Sequence, residues 1–220
     1  MTVAYDAVGS QPTQTTSPSW THTPVGTPKG ILVFVLQYAT GSDDVTGVTY
    51  GGVAMTELGS SPLLHTTGET FTVYAYFLGS NIPTGAQTVA VTGSSSNKCG
   101  VSFSVTASGD TVVQNHSAFV NSDSQADPSA SLSLGGKTCF VALGAMSGHN
   151  GVASTTPSSG WTSSFEDVSA GGTQVSLSYK YDTIGSTDVT VGWTQTAEDA
   201  TAIAVAITEA AFPRSFGFIF

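Results

Sequence analysis

The sequence predicts an all-β protein, and more specifically a two-sheet antiparallel β-sandwich of jelly-roll type. Charged residues make up only 9% of the chain, far below the roughly 25% of ordinary globular proteins, so the charged outer faces of long helices cannot be built. Thr, Val, Gly and Ser are abundant instead, and these residues favour strands and the turns between them. No window keeps an apolar period of 3.6 residues beyond one turn, which also argues against helices.

Two unbroken apolar runs organise the chain. GILVFVLQY, Gly30–Tyr38, is rich in β-branched and aromatic residues and lies between Pro28 and the polar residues 40–44. TCFVALGAM, residues 138–146, is the second run. Apolar runs of this length between turn residues are typical of strands buried on both faces, and they fall short of the ~20 residues that cross a membrane.

The other predicted strands follow from alternation and turn signals. Gly51-Gly52 separates residues 45–50 from residues 53–58, which predicts a hairpin. Residues 69–78 alternate, so Phe71, Val73, Ala75 and Phe77 share one face of a strand. The remaining predicted strands are residues 2–8, 20–23, 85–92, 100–107, 110–120, 129–134, 161–165, 174–181, 187–193 and 201–208.

Three polar segments and one Ala-rich segment need separate interpretation. Residues 9–19, 59–67 and 121–128 are rich in Pro, Gly, Ser, Thr or acidic residues and are predicted to be loops. Residues 198–211 are rich in Ala and could be taken for a helix, but Thr201, Ile203, Val205 and Ile207 alternate. Because β-branched residues favour strands, we predict a strand over residues 201–208.

The order of elements in residues 28–108 recurs in residues 136–209, which suggests an internal repeat. Two related halves would either share one sandwich or form two sandwiches in tandem, although β-rich sequences also resemble one another at this level of detail. No Pro-rich linker separates the halves, so we prefer one two-sheet domain over residues 1–209, followed by a tail at residues 210–220.

Charge and cysteine content exclude several classes of partner and cofactor. The net charge is −10 and only five residues are basic, so the chain offers no basic patch for nucleic acid or for an anionic membrane. Cys99 and Cys139 could form one cross-link or remain as two buried thiols. We expect free thiols, because the first residues lack a secretory signal and synthesis in a reducing cytoplasm is predicted. We expect no metal, because the sequence has no CxxC motif or Cys/His pair at ligand spacing, and we expect no cofactor.

Four segments together carry a resemblance to a known family: AYDAVGS, SWTHTPVGTPKGILVFV, VTGVTYGGVAMTEL and VYAYFLGSNIPTGAQTVAVT. They are similar to a β-sandwich module of tailed-phage virion proteins that also occurs in some bacterial surface proteins. The similarity covers most of residues 2–208. It implies a structural or adhesive role, and it carries over no catalytic residues.

The end of the chain departs from this module, because it continues past the last strand as AAFPRSFGFIF. Burying one Phe side chain stabilises by roughly 1.5–3 kcal/mol, so several Phe side chains left in water would favour aggregation. Pro213 interrupts the strand, so the tail either docks on a neighbouring subunit or folds back on its own sandwich. We predict a partner interface formed by Phe212, Arg214, Phe216, Phe218, Ile219 and Phe220.

Catalytic patterns are weak in this sequence. The histidines His22, His65, His116 and His149 lie far apart and are interpreted as surface or loop residues. No nucleophile-elbow motif accompanies them. Acidic pairs such as Glu166-Asp167 and Glu198-Asp199 are assigned to loops, and a pair of carboxylates facing each other across a cleft cannot be read from sequence. We therefore expect that the protein is not an enzyme.

These observations lead to two expectations for function. The first is a non-enzymatic structural protein of a phage virion, a decoration, minor capsid or fibre-type subunit that forms homo-oligomers and contacts a major capsid or tail protein. The second is a carbohydrate-binding adhesin that recognises a host-surface glycan by stacking on aromatic side chains. The candidate aromatic residues for that platform are Trp20, Trp161, Trp193, Tyr50, Tyr74, Tyr76, Tyr179 and Tyr181.

Overall fold

The computed structural model describes residues 3–38, 42–66, 70–94, 97–125, 128–148, 156–157, 160–168, 174–184, 187–195 and 197–211. Throughout these ranges the regular structure consists of β-strands, and all strand pairs are antiparallel. The prediction of an all-β sandwich is thereby confirmed. The described part of the chain contains no helix of the length and apolarity needed to cross a membrane.

Ten strands form the first half of the chain. They are β1 (Ala4–Thr15), β2 (Ser19–His22), β3 (Gly30–Tyr38), β4 (Val45–Tyr50), β5 (Val53–Ala54), β6 (Thr56–Glu57), β7 (Leu63–His65), β8 (Phe71–Leu78), β9 (Gln87–Gly93) and β10 (Lys98–Thr106). The predicted hairpin between β4 and β5 is confirmed. Gly51 and Gly52 have φ values of 55° and 81°, a region in which glycine avoids the strain that a side chain would cause.

Eight described strands form the second half. They are β11 (Thr111–Gln125), β12 (Ser129–Leu132), β13 (Cys139–Gly148), β14 (Thr156–Pro157), β15 (Thr162–Val168), β16 (Gln174–Ile184), β17 (Val189–Thr194) and β18 (Glu198–Glu209). The Ala-rich segment near the C-terminus is a strand, β18, as its β-branched alternation predicted.

The strands form two large and two small sheets. The large sheets have the orders β1-β10-β3-β8-β6, with β7 also pairing to β8, and β11-β18-β13-β16-β15. The small sheets have the orders β2-β9-β4-β5 and β12-β17-β14. The two large sheets share one order: the first strand of the half pairs with the last strand of that half, and the last strand also pairs with the third. These strands are β1, β10 and β3 in the first half and β11, β18 and β13 in the second. The two small sheets also share one order: the second strand of the half pairs with the second-last strand, which also pairs with the fourth. These strands are β2, β9 and β4 in the first half and β12, β17 and β14 in the second.

The two large sheets pack face to face around an aromatic core. Phe34 of β3, Phe103 of β10 and Phe140 of β13 meet there, with ring centroids 6.4 Å apart for Phe34–Phe103 and 5.8 Å apart for Phe103–Phe140. The sheets approach so closely that a Cβ added at Gly144 of β13 would lie 2.5 Å from Cδ1 of Phe34. A side chain at that position would have to displace a buried ring.

Each small sheet covers the outer face of one large sheet. One cluster joins residues of β3 and β8 to Trp20, Val48 and Tyr50. The other joins residues of β13 and β18 to Leu132, Val191 and Trp193. Both faces of the central strands are therefore covered, which is why every residue of β3 and of β13 is buried. The sequence predicted such two-sided burial, but it predicted two sheets where the structure has four.

Polar and aromatic contacts join the edges of the two large sheets. Lys180 Nζ of β16 lies 3.9 Å from the ring centroid of Tyr5 in β1, and the Tyr5 ring stacks on Phe140 at 6.2 Å. Near another edge, Nε2 of the buried His65 lies 4.0 Å from Oδ2 of Asp199. These contacts connect the two halves, since they join β16 and β13 to β1 and β18 to β7.

Several predicted loops are strands in the structure. β1 continues to Thr15 and β11 to Gln125, where acidic and Pro- or Thr-rich residues led us to expect loops. Residues 63–65 form β7, and residues 53–58 divide into β5 and β6, which pair in different sheets. Partner strands supply the backbone hydrogen bonds of edge strands, so such strands form without a strong local apolar pattern.

Candidate functional site

The first half contains a buried polar cluster between its large and small sheets, formed by Trp20, His22 and Ser102. Ser102 Oγ of β10 donates to the carbonyl of Gly9 at 3.2 Å and accepts from Trp20 Nε1 at 2.9 Å. His22 Nδ1 lies 2.8 Å from the same oxygen. A hydroxyl has one proton, so the remaining lone pair of Ser102 accepts from Nδ1–H, and this network assigns that tautomer to a neutral His22.

One face of the cluster carries polar atoms without a protein partner. The assigned tautomer leaves His22 Nε2 as an acceptor, and this atom and the hydroxyl of Tyr50 are buried without a hydrogen bond to the described protein. The two rings meet edge to face with centroids 5.9 Å apart. Protonation of His22 would place an N–H donor and a positive charge in this dry environment, which is costly.

Asp6 connects the cluster to the loop that follows β2. Its carboxylate accepts from Ser104 Oγ at 2.7 Å, from the amide of Gly26 at 2.7 Å and from the amide of Val25 at 3.2 Å. Three donors therefore occupy this carboxylate. Asp6 holds the loop between β2 and β3 rather than orienting the imidazole of His22.

Burial dominates the electrostatics of the cluster. It lowers the pKa of His22 from 6.5 to about 4, against the opposing attraction of the Asp6 carboxylate. Burial also raises the pKa of Tyr50 to about 12, and the charge of Asp6 acts in the same direction. His22 and Tyr50 are thus both neutral at pH 7.

A serine next to a histidine resembles the nucleophile and base of a hydrolase, but the surroundings of Ser102 and His22 do not fit that use. Both residues have a solvent exposure of 0%, so no substrate reaches the hydroxyl in this conformation. A catalytic histidine needs its second nitrogen oriented by a further group, and His22 Nε2 has none among the residues that the structure describes. The geometry supports a structural role in cross-linking β1, β2 and β10.

A second polar cluster fixes the segment before β4. Tyr74 Oη accepts from the amide of Asp44 at 2.9 Å and lies 3.1 Å from Gln37 Oε1, to which it donates. The carbonyl of Ser42 accepts from Gln37 Nε2 at 2.9 Å. Burial raises the pKa of Tyr74 to about 12, so its proton stays available for the hydrogen bond to Gln37.

A buried lysine lies beside this second cluster. Lys98 Nζ donates to the carbonyls of Ser94 at 3.2 Å and Thr16 at 3.4 Å. Burial lowers the pKa of Lys98, and the nearby charge of Asp44 opposes that effect. These bonds tie the start of β10 to the residue after β9 and to the residue after β1, so Lys98 also acts in positioning the backbone.

The predicted interface in the tail, Phe212, Arg214, Phe216, Phe218, Ile219 and Phe220, lies outside the described residues. The last described part of the chain is anchored, because the amide of Ala210 donates to the carbonyl of Asp110 at 2.8 Å. The tail therefore begins beside the connection between the two halves, which runs from β10 to β11.

The six candidate aromatic side chains that the structure describes do not form a platform on the surface. Trp20, Trp161 and Trp193 are 6%, 7% and 2% exposed, and Tyr50, Tyr74 and Tyr76 are buried as well. These side chains fill the spaces between large and small sheets, where they cannot stack on a glycan. The side chains of Tyr179 and Tyr181 lie outside the described part of the structure.

Other residues singled out in the sequence also have different surroundings from those expected. His22 and His65 are fully buried instead of lying at the surface or in loops, and His149 is outside the described ranges. The pairs Glu166-Asp167 and Glu198-Asp199 belong to β15 and β18 rather than to loops. Cys99 and Cys139 are free, buried thiols as expected, and they lie in different core clusters.

The buried cluster escaped sequence analysis because its members are far apart in the chain. Ser102 follows His22 by 80 positions, and the two meet only because the small sheet that contains β2 packs on the large sheet that contains β10. One signal was available in the sequence. In a strand, Trp20 and His22 lie on one face and Thr21 lies on the other.

Comparison with protein-family models, with curated proteins and with solved structures finds no match for this chain. Within the described ranges, no group of three or more His, Cys, Asp and Glu side chains is placed to hold a metal ion. The arguments for function therefore rest on the geometry of the chain itself.

Proposed function

We propose that this protein is a non-enzymatic structural subunit of a phage virion, of the decoration, minor capsid or fibre type. In this proposal it assembles through the surfaces of its β-sandwich and through its C-terminal tail. It associates with further copies of itself and with another virion protein such as the major capsid or tail protein. The carrying observation is the four-layer packing, in which both faces of the central strands of both large sheets are covered.

Four-layer packing supports a structural role because side chains that could otherwise bind or react with a ligand are used to hold the sheets together. The described tryptophans, His22 and Ser102 are buried in contacts between sheets. The core clusters run without interruption through each pair of facing sheets. Such a body resists deformation, as a subunit of a particle must.

The agreement of strand orders supports a further part of the proposal, that the chain consists of two related jelly-roll halves. In each half the first, last, third and third-last strands form the large sheet in that order. The edges also correspond: β1 of the first half contacts β15, and β11 of the second half contacts β7. This reciprocal arrangement is that of a two-fold dimer whose subunits have become one chain.

The tail is the proposed assembly arm. It follows Ala210, which is held at the surface between the two halves by its bond to Asp110. Its sequence carries Phe212, Phe216, Phe218 and Phe220, a larger apolar content than a solvated end of a chain tolerates. A groove or a sheet edge on a neighbouring subunit would bury these rings.

Light scattering tests this proposal directly. The full chain and a variant that ends at Ala211 are compared for mass in solution and for incorporation into particles. We expect the full chain to be oligomeric and the truncated chain to be a folded monomer that is not incorporated. A matched control keeps the tail length and replaces the four phenylalanines by serine, and it should behave like the truncated chain.

Two results would count against the assembly arm. If the truncated chain were incorporated normally, the tail would not be an assembly element. If full and truncated chains were both monomeric and the truncated chain lost stability, the tail would instead pack on its own sandwich.

A carbohydrate-binding adhesin is the second candidate function. A cleft in the first half favours it, whereas the buried aromatic residues do not.

A further inference from the structure

A small cleft of about 160 Å³ opens at one end of the first half, where three segments of chain meet. These are the loop between β2 and β3, the loop between β8 and β9, and the connection from β10 to β11. Pro28 and Ile82 contribute apolar surface to the cleft. Its polar lining includes Lys29, Ser80, Asn81, Thr84 and Asp110.

The walls of the cleft are held by the backbone. The amide of Lys29 donates to the carbonyl of Val105 at 2.8 Å, and Thr111 Oγ1 donates to the carbonyl of Lys29 at 2.5 Å. The two walls touch at Gly79, where an added Cβ would collide with the carbonyl of Thr111. Asn81 has a φ of 53°, a left-handed backbone conformation that is uncommon for residues other than glycine.

The polar side chains of the cleft have no partners elsewhere in the described protein. No hydrogen bond or ion pair to other described residues engages the side chains of Lys29, Ser80, Asn81, Thr84 or Asp110. Lys29 and Asp110 line the same cleft, yet they form no ion pair with each other. Ser80, Asn81, Thr84 and Asp110 are exposed and Lys29 is half-buried, so the donors and acceptors of the cleft are open to a polar ligand that enters it.

The corresponding end of the second half is different. Its lysine, Lys137, donates through Nζ to Gln114 Oε1 at 2.7 Å. Its loop aspartate, Asp188, accepts through Oδ1 from Ser133 Oγ and from the amide of Leu134, both at 2.9 Å. At this end of the second half, the polar groups therefore form hydrogen bonds with one another. At the corresponding end of the first half, the polar side chains line a cleft instead.

We propose that this cleft binds one neutral sugar ring. Its volume is well below the ~300 Å³ at which pockets for drug-sized ligands begin, so it suits a single ring. Lys29 only donates, Asp110 only accepts, and Asn81 does both, which matches sugar hydroxyls because each hydroxyl both donates and accepts. Ile82, which is half-buried, offers apolar surface to the C–H face of the ring, and the buried Pro28 lies at the edge of the cleft.

The charges in the cleft and on the whole chain favour a neutral ligand over an ionised one. The positive charge of Lys29 and the negative charge of Asp110 offset each other within the cleft. The net charge of the whole chain, −10, repels anionic sugars at a distance. This sugar site does not depend on the proposed assembly role of the tail, and the two are measured separately.

A titration of the full chain followed by ¹H–¹⁵N NMR tests the site. D-glucose, D-galactose, D-mannose and N-acetyl-D-glucosamine are added one at a time. At least one should shift the amide signals of residues 27–29, 79–84 and 110, with a Kd on the order of 1 mM, typical of a small polar ligand. Asp110→Ala should weaken binding about tenfold or more, because a charged acceptor is lost.

Matched variants separate binding from folding. Lys29→Ala should also weaken binding, whereas Lys137→Ala, at the corresponding position of the second half, should leave it unchanged. Asn81→Gly keeps the positive φ available and removes only the amide, so it provides a second test if Asp110→Ala is poorly folded. Each variant is first checked for an unchanged melting temperature.

Several outcomes would overturn the proposal. These are an absence of shifts with all four sugars, shifts spread over other surfaces, and an affinity that Asp110→Ala and Asn81→Gly leave unaltered. Tighter binding of D-glucuronate than of D-glucose would reject the neutral class. None of these results would bear on whether truncation of the tail abolishes assembly.

Discussion

Acidification should destabilise this protein through His22, whose imidazole is buried between β2 and β10. The neutral ring donates from Nδ1 to Ser102 Oγ at 2.8 Å, and Nε2 has no partner among the described residues. Below its pKa the ring would carry a buried charge and an unpaired donor. The unfolded chain has no such penalty, so protons bind it more readily than the folded protein.

The sign and size of the effect follow from the two pKa values. The pKa of His22 is about 4 in the folded protein and 6.5 in the unfolded reference. Between these values the unfolded state binds more protons, so the contribution of His22 is fully present above pH 6.5 and is lost as the pH falls towards 4. A difference of 2.5 units corresponds to a loss of about 3 kcal/mol in the free energy of unfolding.

Urea denaturation at a series of pH values between 7.5 and 4 measures this loss. His22→Asn removes the titrating group and keeps a polar side chain near Ser102. The fall in unfolding free energy from pH 7 to pH 4 should be about 3 kcal/mol smaller in this variant than in the wild type. His116→Asn, at a part-exposed position of β11, leaves the cluster intact and serves as the control.

Equal losses in the wild type and in His22→Asn would refute this reasoning, because His22 would then contribute nothing to acid sensitivity. An NMR titration gives an independent check on the folded protein. The His22 ring signals should remain those of a neutral imidazole with a proton on Nδ1 until the pH approaches 4. A His22 midpoint near 6.5 in folded protein would show that the ring is solvated.

Two further substitutions test the packing. Ser102→Ala should cost about 2 kcal/mol, because it leaves Trp20 Nε1 without its acceptor, whereas Ser131→Ala at an exposed site of β12 should change stability by less than about 0.5 kcal/mol. Gly144→Ala should cost about 1–3 kcal/mol, because its Cβ would overlap the Phe34 ring between the large sheets. Gly47→Ala is the matched control, since nothing lies within 4 Å of an added Cβ, and it should be neutral within about 0.5 kcal/mol. Chemical denaturation measures all four variants, and a Gly144→Ala protein as stable as Gly47→Ala would contradict the close approach of the sheets.

The central strands were the most predictable part of the fold. Gly30–Tyr38 was predicted with the bounds it has in the structure, because its apolar run and its flanking turn residues are local signals. The Gly51-Gly52 turn was equally readable, since few other residues adopt its positive φ angles. The choice of strand over helix for β18 followed from the β-branched residues that alternate along it.

Edge strands and the number of sheets were less predictable. β1 runs through Gly9 to Thr15, and β11 through acidic residues to Gln125. Their hydrogen bonds come from β10 and β18, whose sequence positions are distant. The alternation in β8 was read correctly, but nothing local indicated that its second face, with Tyr74 and Tyr76, would be covered by a further sheet.

Among the polar residues, too, some features were predictable from sequence and others were not. The free, buried cysteines were expected, since the buried state of a small thiol follows from the apolar strands that contain it. The pairing of Ser102 with His22, the cleft between Lys29 and Asp110 and the burial of the three tryptophans were not. Each depends on residues from separate strands or loops, and no single segment contains the information.

The sequence by itself determined the all-β class, the two fully apolar core strands and the turns that require glycine, because these depend on residues adjacent in the chain. Only the tertiary structure decided that two large sheets face each other under two smaller ones, and that His22 is sealed beside Ser102 while Lys29 and Asp110 border an open cleft. The physical reason is that burial and hydrogen-bond partners are properties of pairs of distant segments. Strand pairing and sheet packing select those pairs, and the pattern of any one strand is compatible with several such choices.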